Sequence, residues 1–411
     1  MDRREFLTLG LAAGAGLAGL SAKADVWQAG RPRAKGVIWI WTGGGMSQID
    51  TFDPKPGHKN GGPLKAIDTT VPGVQFTELL PVCAGQMKHL AVVRSMKTME
   101  GAHDRGTYLM HTGFPGVPGV EYPSLGTAVA HELGKLEPGI PRYIAFDPPA
   151  IPSSPAFGED CRPFRVNHID DPIPNLRSGV DANRERDRLA LLREESAEQD
   201  RRREGDEIAR LKEAAVQAER LMTSTLLKAF DYREEPEALR NEYGDRFGLN
   251  CLAARRLVEA GCPFVEIGMG GWDIHGDSFN SYKRMVPTLD RGLGTLVKDL
   301  AERRLLKDVL VVLASPFGKS PDINAGKGRD HSATGFSVVL AGAGLKGGVV
   351  HGSTGLDGYE CNDPVSPSQL FTTIYTALGI DPHKPFGVSA EAARDTYTWP
   401  RAEPLKNLLR D

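Results

Sequence analysis

The chain has 411 residues, 40% of them hydrophobic and 25% charged, with a formal net charge of −3. That composition is ordinary for a globular protein, and the length suffices for one large domain or two smaller ones with a sizeable core. The balance of charge excludes a generally basic surface, so no nucleic acid is expected as a partner, and five scattered cysteines without a Cys-x-x-Cys pair exclude zinc-ribbon and thioredoxin motifs.

The chain opens on Met1-Asp2-Arg3-Arg4-Glu5-Phe6-Leu7-Thr8. A run of only Leu, Ala and Gly from Leu9 to Leu20 follows, and then Ala22-Lys23-Ala24. A charged start, an apolar run and small residues at the positions a signal peptidase reads make a secretory leader. Arg-Arg-x-Phe-Leu is the form the twin-arginine translocase recognises, so residues 1–24 are expected to be a twin-arginine signal peptide cleaved after Ala24. The competing reading is a short membrane anchor, but the run falls well below the ~20 residues that span a bilayer. No later segment is long and apolar enough for a span. Residues 25–411 are therefore expected to form a single exported domain, in the periplasm or cell envelope, with no stable membrane span after cleavage. Export permits one or two disulfides, and the odd cysteine count leaves at least one thiol over; the spacing assigns no pair.

Gly36-Val-Ile-Trp-Ile-Trp-Thr42 is an apolar run too short for a buried helix and rich in β-branched and aromatic residues, which fits a buried strand ending at Gly43-Gly44-Gly45. Residues 137–180 are Pro-rich and read as an extended loop over the sheet edge or the mouth of the site. Residues 181–222 alternate charges with intermittent Leu, Ile and Ala, which predicts a charged helical insertion, either a solvated cap or a partner-binding arm. A helix is predicted over Leu249–Ala260, a strand over Pro263–Gly268 and a long helix over Tyr282–Leu305. Strands follow at Asp308–Ala314 and Phe336–Ala341. Strands alternating with helices imply an α/β fold with a mainly parallel central sheet flanked by helices. Chemistry in such sheets sits at the C-terminal strand ends, which directs attention to loops 43–55, 268–278, 315–331 and 342–354.

Four constellations could carry it. In the first loop, Asp50 or Asp53 is placed to hold a divalent cation, and Ser47 with the Gly run to sit over an anion; alternatively these residues cap a turn. In the second, His103 lies near a helix N-terminus, where an anion is favoured, and Arg105 offers a fork to oxyanion oxygens. His111 is eight residues on and falls on the same helical face; the other reading packs His111 inside and puts Arg105 in an ion pair. In the third, Asp273 and His275 point the same way from an extended segment and offer oxygen and nitrogen to a metal. The fourth is Gly328-Arg329-Asp330-His331-Ser332. Either Asp/His pair alone could cap a turn; both at C-terminal strand ends imply a shared cation site.

The leader, Gly-Gly-x-Ser-Gln-Ile-Asp-Thr-Phe-Asp-Pro-Lys-Pro from Gly44, His-x-Arg-Gly-x-Tyr-Leu-Met-His-Thr-Gly from His103, Trp272-Asp-x-His275 and Gly328-Arg-Asp-His331 occur in this order. Together they resemble the exported family called domain of unknown function 1501, over nearly the whole chain after the leader. That family is similar to the alkaline phosphatase and sulfatase superfamily. The resemblance implies an alkaline-phosphatase-like fold, a divalent metal (Zn, Ca or Mg) and hydrolysis of phosphate or sulfate esters. It implies Asp50 as a first metal carboxylate, His103 at the nucleophile position of sulfatases, Asp273 and His275 as the Asp/His pair of one metal, and His331 as a later ligand.

One segment departs from the pattern. Where the family typically has Glu-Phe-Gly-Arg-Thr-Pro, this chain has Pro316-Phe317-Gly318-Lys319-Ser320-Pro321. Pro316 has no ligand atom, and Lys319 lacks the bidentate fork of arginine; Asp322 and Ser315 are out of register with the lost carboxylate. No Ser, Thr or Cys stands at the nucleophile position. Two readings stay open. One is an ester hydrolase with Asp50, Asp273, His275, Asp330 and His331 on the metal and His103 and Arg105 acting on the ester. The other is a non-catalytic envelope protein that binds an anionic ester or glycan on the same fold.

Overall fold

The computed structural model describes residues 34–134, 141–148, 157–167, 225–385, 397–398 and 402–410, with isolated positions at 169 and between 183 and 194. The leader, much of the Pro-rich stretch and most of the charged stretch 181–222 lie outside the described residues.

The strands are β1 Gly36–Thr42, β2 Ala66–Asp68, β3 Gln75–Thr77, β4 Leu90–Lys97, β5 Tyr143–Phe146, β6 Phe164–Val166, β7 Phe264–Met269, β8 Val309–Ala314, β9 Gly318–Lys319, β10 His331–Ser332, β11 Thr334–Gly342 and β12 Val349–His351. The α-helices are α1 Pro81–Gly85, α2 His103–Thr112, α3 Leu125–Leu133, α4 Glu237–Tyr243, α5 Arg246–Glu259, α6 Ser278–Glu302 and α7 Pro367–Leu378. Eight strands form one sheet in the order β12-β4-β11-β8-β1-β7-β5-β6. Every neighbouring pair is parallel except those made by β11, which runs antiparallel to β4 and β8. The fold is thus α/β with a mainly parallel central sheet, as the alternation of apolar strands and helices implies.

β1 lies between β7 and β8, and every residue in it is buried. A strand covered on both faces needs apolar side chains on both, which is why its sequence is a continuous run. Alternate residues serve opposite layers. Ile38 and Ile40 pack with Leu252 and Leu257 of α5 and Leu289, Leu296 and Leu300 of α6. Val37, Trp39 and Trp41 pack with Ala128 and Val129 of α3 and Leu370 and Ile374 of α7. The 25-residue α6 buries Tyr282, Val286, Leu289, Leu293, Leu296 and Leu300, spaced three or four apart down one face. α7 opens on a capping box between Ser366 and Gln369 and closes at Gly379 in the left-handed region.

One expectation needs correcting. The loop 342–354 was expected at the C-terminal edge of the sheet, with the other three. Because β11 is antiparallel, its end at Gly342 lies at the opposite edge, and only the residues after β12 return to the first. The reason is legible in retrospect. Residues 315–333 contain no helix among the described residues, and a parallel return normally needs a long crossover. The chain instead doubles back through β9 and β10, paired antiparallel. That reversal carries residues 328–334 to the same edge as the ends of β1, β7 and β8. All five cysteines are free thiols, four of them buried.

Candidate metal centre

Glycines bring the loops together. Gly44 follows β1 with φ +115°, and a Cβ there would sit 2.3 Å from the backbone nitrogen of Asp273. The turn after β1 and the loop after β7 therefore touch backbone to backbone, with the Trp272 amide donating to the Gly43 carbonyl at 3.3 Å. Gly328 does the same on the other side, where a Cβ would lie 2.1 Å from the His275 carbonyl oxygen. Asn324 closes that side by donating its amide to the His275 carbonyl at 2.9 Å and to Asp330 Oδ1 at 3.2 Å.

Four side chains from three segments then meet. His103, the first residue of α2, places Nε2 3.2 Å from Asp273 Oδ2. His331 Nε2 is 2.8 Å and His275 Nε2 3.0 Å from Asp273 Oδ1. The two histidine Nε2 atoms are 3.1 Å apart. One ligand atom each from His103, Asp273 and His331 fall within 4.8 Å of one another, with His103 and Asp273 exposed. Asp330 stands one step out, its Oδ1 3.2 Å from His275 Nδ1.

The hydrogen bonds on the far sides of the rings fix what the near sides present. His331 Nδ1 faces the Gly101 carbonyl at 2.9 Å, an atom that only accepts. Nδ1 must carry the proton, so in the neutral ring Nε2 is a bare lone pair. The Asp330 carboxylate imposes the same tautomer on His275. Two lone pairs and a carboxylate thus converge on one small space, an arrangement that repels itself unless a positive charge enters it. A divalent cation satisfies it, and an outer partner such as Gly101 O on His331 is what orients a metal-binding imidazole. Two nitrogens and an oxygen, with room for a further ligand, are the donors of an open zinc-type site. The residues present fit such an ion.

Lys319 adds a positive charge. Its side chain is completely buried, and Nζ lies 3.8 Å from Asp273 Oδ1. Nζ has no hydrogen-bond partner among the described residues. It stands opposite His331 in the β9–β10 pair. The side-chain amide of buried Gln48 clamps its backbone, donating to the Lys319 carbonyl at 2.8 Å and accepting from its amide at 3.1 Å. Burial pulls the lysine pKa below its usual value, opposed by Asp273 and Asp330. Burial alone would raise the pKa of Asp273. His331 and His103, with His275 and Lys319, outweigh it and hold the carboxyl at about 2. The carboxylate is therefore ionised and available as a ligand throughout the neutral range.

The remaining residues singled out in the sequence are placed elsewhere. Asp50 is fully buried and is held by Arg329, with Nε to Oδ2 at 2.7 Å and Nη2 to Oδ1 at 3.1 Å. It also accepts from Ser47 Oγ at 2.6 Å. The structure does not bring it into the histidine cluster; its carboxylate is occupied by a guanidinium. Asp53 is paired with Lys55 and Arg94. His111 is buried between Thr107 O at 2.8 Å and Glu266 at 3.1 Å, its ring against Trp41, so it faces the core rather than the His103 side. Arg105 reaches Glu100 at 2.7 Å with 70% of its side chain exposed. Replacing Arg105 by alanine should change stability by no more than about 0.5 kcal/mol in urea unfolding and leave metal uptake intact; loss of uptake would mean the side chain turns inward in solution. Pro316 is buried with its ring against Gly106, one turn along α2 from His103. The centre is assembled without residue 316.

Sequence reasoning missed Lys319 and Gln48 as parts of the site. Lys319 registered only as a weakened arginine, and nothing local announces that a two-residue strand faces it inward.

None of the curated proteins matches this chain in sequence. Among solved structures, the chain is similar to Ps i-CgsB in complex with k-i-k-neocarrahexaose at 13% identity and a TM-score of 0.42, covering 91% of this chain and 77% of that one. It is similar to the lipoteichoic acid synthase LtaP from Listeria monocytogenes at 9% identity and a TM-score of 0.38, covering 89% and 77%. It is similar to alkaline phosphatase from the Antarctic bacterium TAB5 at 13% identity and a TM-score of 0.31, covering 80% and 98%. These are likenesses of chain path and say nothing of this chain's chemistry. The model of the family described as protein of unknown function (DUF1501) matches residues 34–396, so the chain belongs to that family.

Proposed function

We propose that this protein binds one divalent cation at His103, Asp273 and His331 and hydrolyses esters of tetrahedral oxyacids, phosphate or sulfate, after export by the twin-arginine translocase. The observation that carries the reading is the convergence of a ring nitrogen each from His103 and His331 and the ionised Asp273 carboxylate on one space at the C-terminal edge of the sheet. A bound cation supplies a Lewis acid for the ester oxygen and acidifies a water. The chain's own residues do the rest. Gly101 and Asp330 hold the rings of His331 and His275 in register. His275, outside the three ligands, faces the same space with its Nε2, and we assign it the role of general base. Lys319 offsets the carboxylate charge, and Phe317 packs its ring against His103 and His331. No helix among the described residues is long and apolar enough to cross a membrane.

The second reading, a non-catalytic envelope binding protein, draws on Pro316 and on the missing hydroxyl or thiol nucleophile. The two part on one assay. The chain from residue 25, loaded with zinc, calcium or magnesium in turn, is offered aryl sulfates, aryl phosphates and phosphodiesters. The hydrolase reading expects turnover with one of them, lost by at least about 100-fold in His275→Ala. Full metal occupancy with no turnover of any ester would leave the binding reading standing.

A further inference from the structure

His103 reaches the cluster from the first residue of a helix, so the placement of α2 decides whether the cluster forms. Met110 packs α2 into the core, and Gly106 lies against Pro316 and Phe317. Apolar contacts are non-directional and let a helix slide or turn slightly; a hydrogen bond is directional and fixes register. Among the described residues, one side chain of α2 is hydrogen-bonded to the central sheet. It is His111, eight residues after His103, whose Nε2 meets Glu266 Oε1 at 3.1 Å. Glu266 belongs to β7, the strand whose following loop carries Asp273 and His275. The helix is thus tied to β7 and its loop at two levels, about 12 Å apart along its axis. His111 and Glu266 make the inner tie, and His103 and Asp273 the outer one at the open edge.

The inner tie is built as a rigid frame. Both side chains are buried, with 3% and 0% exposed. His111 Nδ1 lies 2.8 Å from the Thr107 carbonyl, which only accepts, so Nδ1 carries a proton. The other oxygen of Glu266 accepts from the Tyr143 hydroxyl at 2.5 Å. Burial, and then the Glu266 charge, push the pKa of that hydroxyl up and keep it a donor. A proton must also lie between Nε2 and Oε1, because a lone pair facing a carboxylate in a dry interior would repel it. The imidazole is wedged against Trp41, with ring centroids 4.3 Å apart. None of these groups touches the space where an ester would react, and apolar side chains would fill the same volume without the cost of burying charge.

We propose that His111 and Glu266 are positioning residues of the metal centre: their hydrogen bond sets the register of α2 against β7 and so holds His103 where it can share an ion with Asp273 and His331. The inference rests on the metal reading above and deepens it. The pair acts through His103 and not through contact with the ion or the ester.

The test uses the chain from residue 25. Zinc affinity is read by competition with a chelator, and the visible absorption of bound cobalt reports the geometry of its ligands. Glu266→Gln preserves the frame, accepting from Tyr143 through its carbonyl and donating to His111 Nε2 through its amide. It should hold zinc within about threefold of the native chain and give the native cobalt spectrum. Glu266→Asp keeps the charge but is one methylene too short to reach His111 from β7. It should weaken zinc by about tenfold or more and change the cobalt spectrum. The triple variant His111→Phe, Glu266→Leu, Tyr143→Phe removes the frame and strands no charge, so it should stay folded in metal-free buffer and lose zinc to the same degree; Glu266→Asp decides alone if the triple variant does not fold. Native zinc affinity in Glu266→Asp and the triple variant overturns the proposal, whatever their stability. So does Glu266→Gln losing zinc as fully as Glu266→Asp, since the hydrogen bonds would then not be what matters. A native chain that takes up no zinc overturns the metal reading itself, and this inference with it.

Discussion

Asp273→Ala should purify as a folded protein that holds less than about a tenth of an equivalent of divalent metal, where the native chain holds about one after loading. The residue is the hub of the cluster: His103 meets one of its oxygens, and His275, His331 and Lys319 the other. Half of its side chain is exposed and it stands in a loop, so its removal empties no core volume. Metal and stability should therefore separate, with a melting temperature in metal-free buffer close to that of the native chain. His331→Ala should behave alike. Asp330→Ala removes the partner of His275, which is not among the three ligands, so it should keep close to a full equivalent of metal. Elemental analysis after dialysis against a chelator and reconstitution reads all three. A full equivalent of metal in Asp273→Ala would place the ion elsewhere, or nowhere specific.

The parts of this molecule that the sequence discloses are those governed by period and by local chemistry. β1, β7 and β8 are readable because strands buried on both faces must be apolar throughout, and each ends in glycines that a sharp turn requires. The Asp273/His275 pair is readable because alternation in an extended loop sets two donors on one side. Other features depend on contacts across some fifty to three hundred residues and leave no local mark. The carboxylates at 50 and 273 look equivalent in sequence, each beyond a buried strand, yet Arg329 seals one of them while the other stays open. His103 and His111 share a helix and a motif, but Glu266, buried in the middle of β7 and hydrogen-bonded by Tyr143 at 2.5 Å, draws His111 into the core. The direction of β11 follows from the missing helix before it, a cue the strand itself does not carry. Lys319 carries no local cue, and only the pairing of β9 with β10 brings its ammonium to the site.

Asp50→Ala and Arg329→Ala should each cost about 3–5 kcal/mol of stability in urea unfolding, the usual effect of stranding one member of a buried ion pair. Both side chains are essentially without exposure, at 0% and 1%. The pair is bidentate, and Arg329 also donates to the carbonyls of Asn60, at 2.6 Å, and Pro321. It thereby ties the turn after β1, the segment near residue 60 and the approach to β10 into one unit. Asp50 is further surrounded by Ser47 and by the buried Tyr282, whose hydroxyl pKa is pushed up first by burial and then by the Asp50 charge. Removing the arginine leaves a carboxylate with one neutral donor in a dry site; removing the aspartate leaves a guanidinium there. The double variant should lose less than the sum of the two, because neither charge is then stranded. Since Arg329 is two residues from His331, the single variants should also loosen the metal, but by way of stability: restoring the fold with a stabilising osmolyte should restore metal uptake. Asp273→Ala should show no such rescue. Single variants that cost less than about 1 kcal/mol while losing metal outright would instead make Asp50 a ligand, freed from Arg329 when an ion is present.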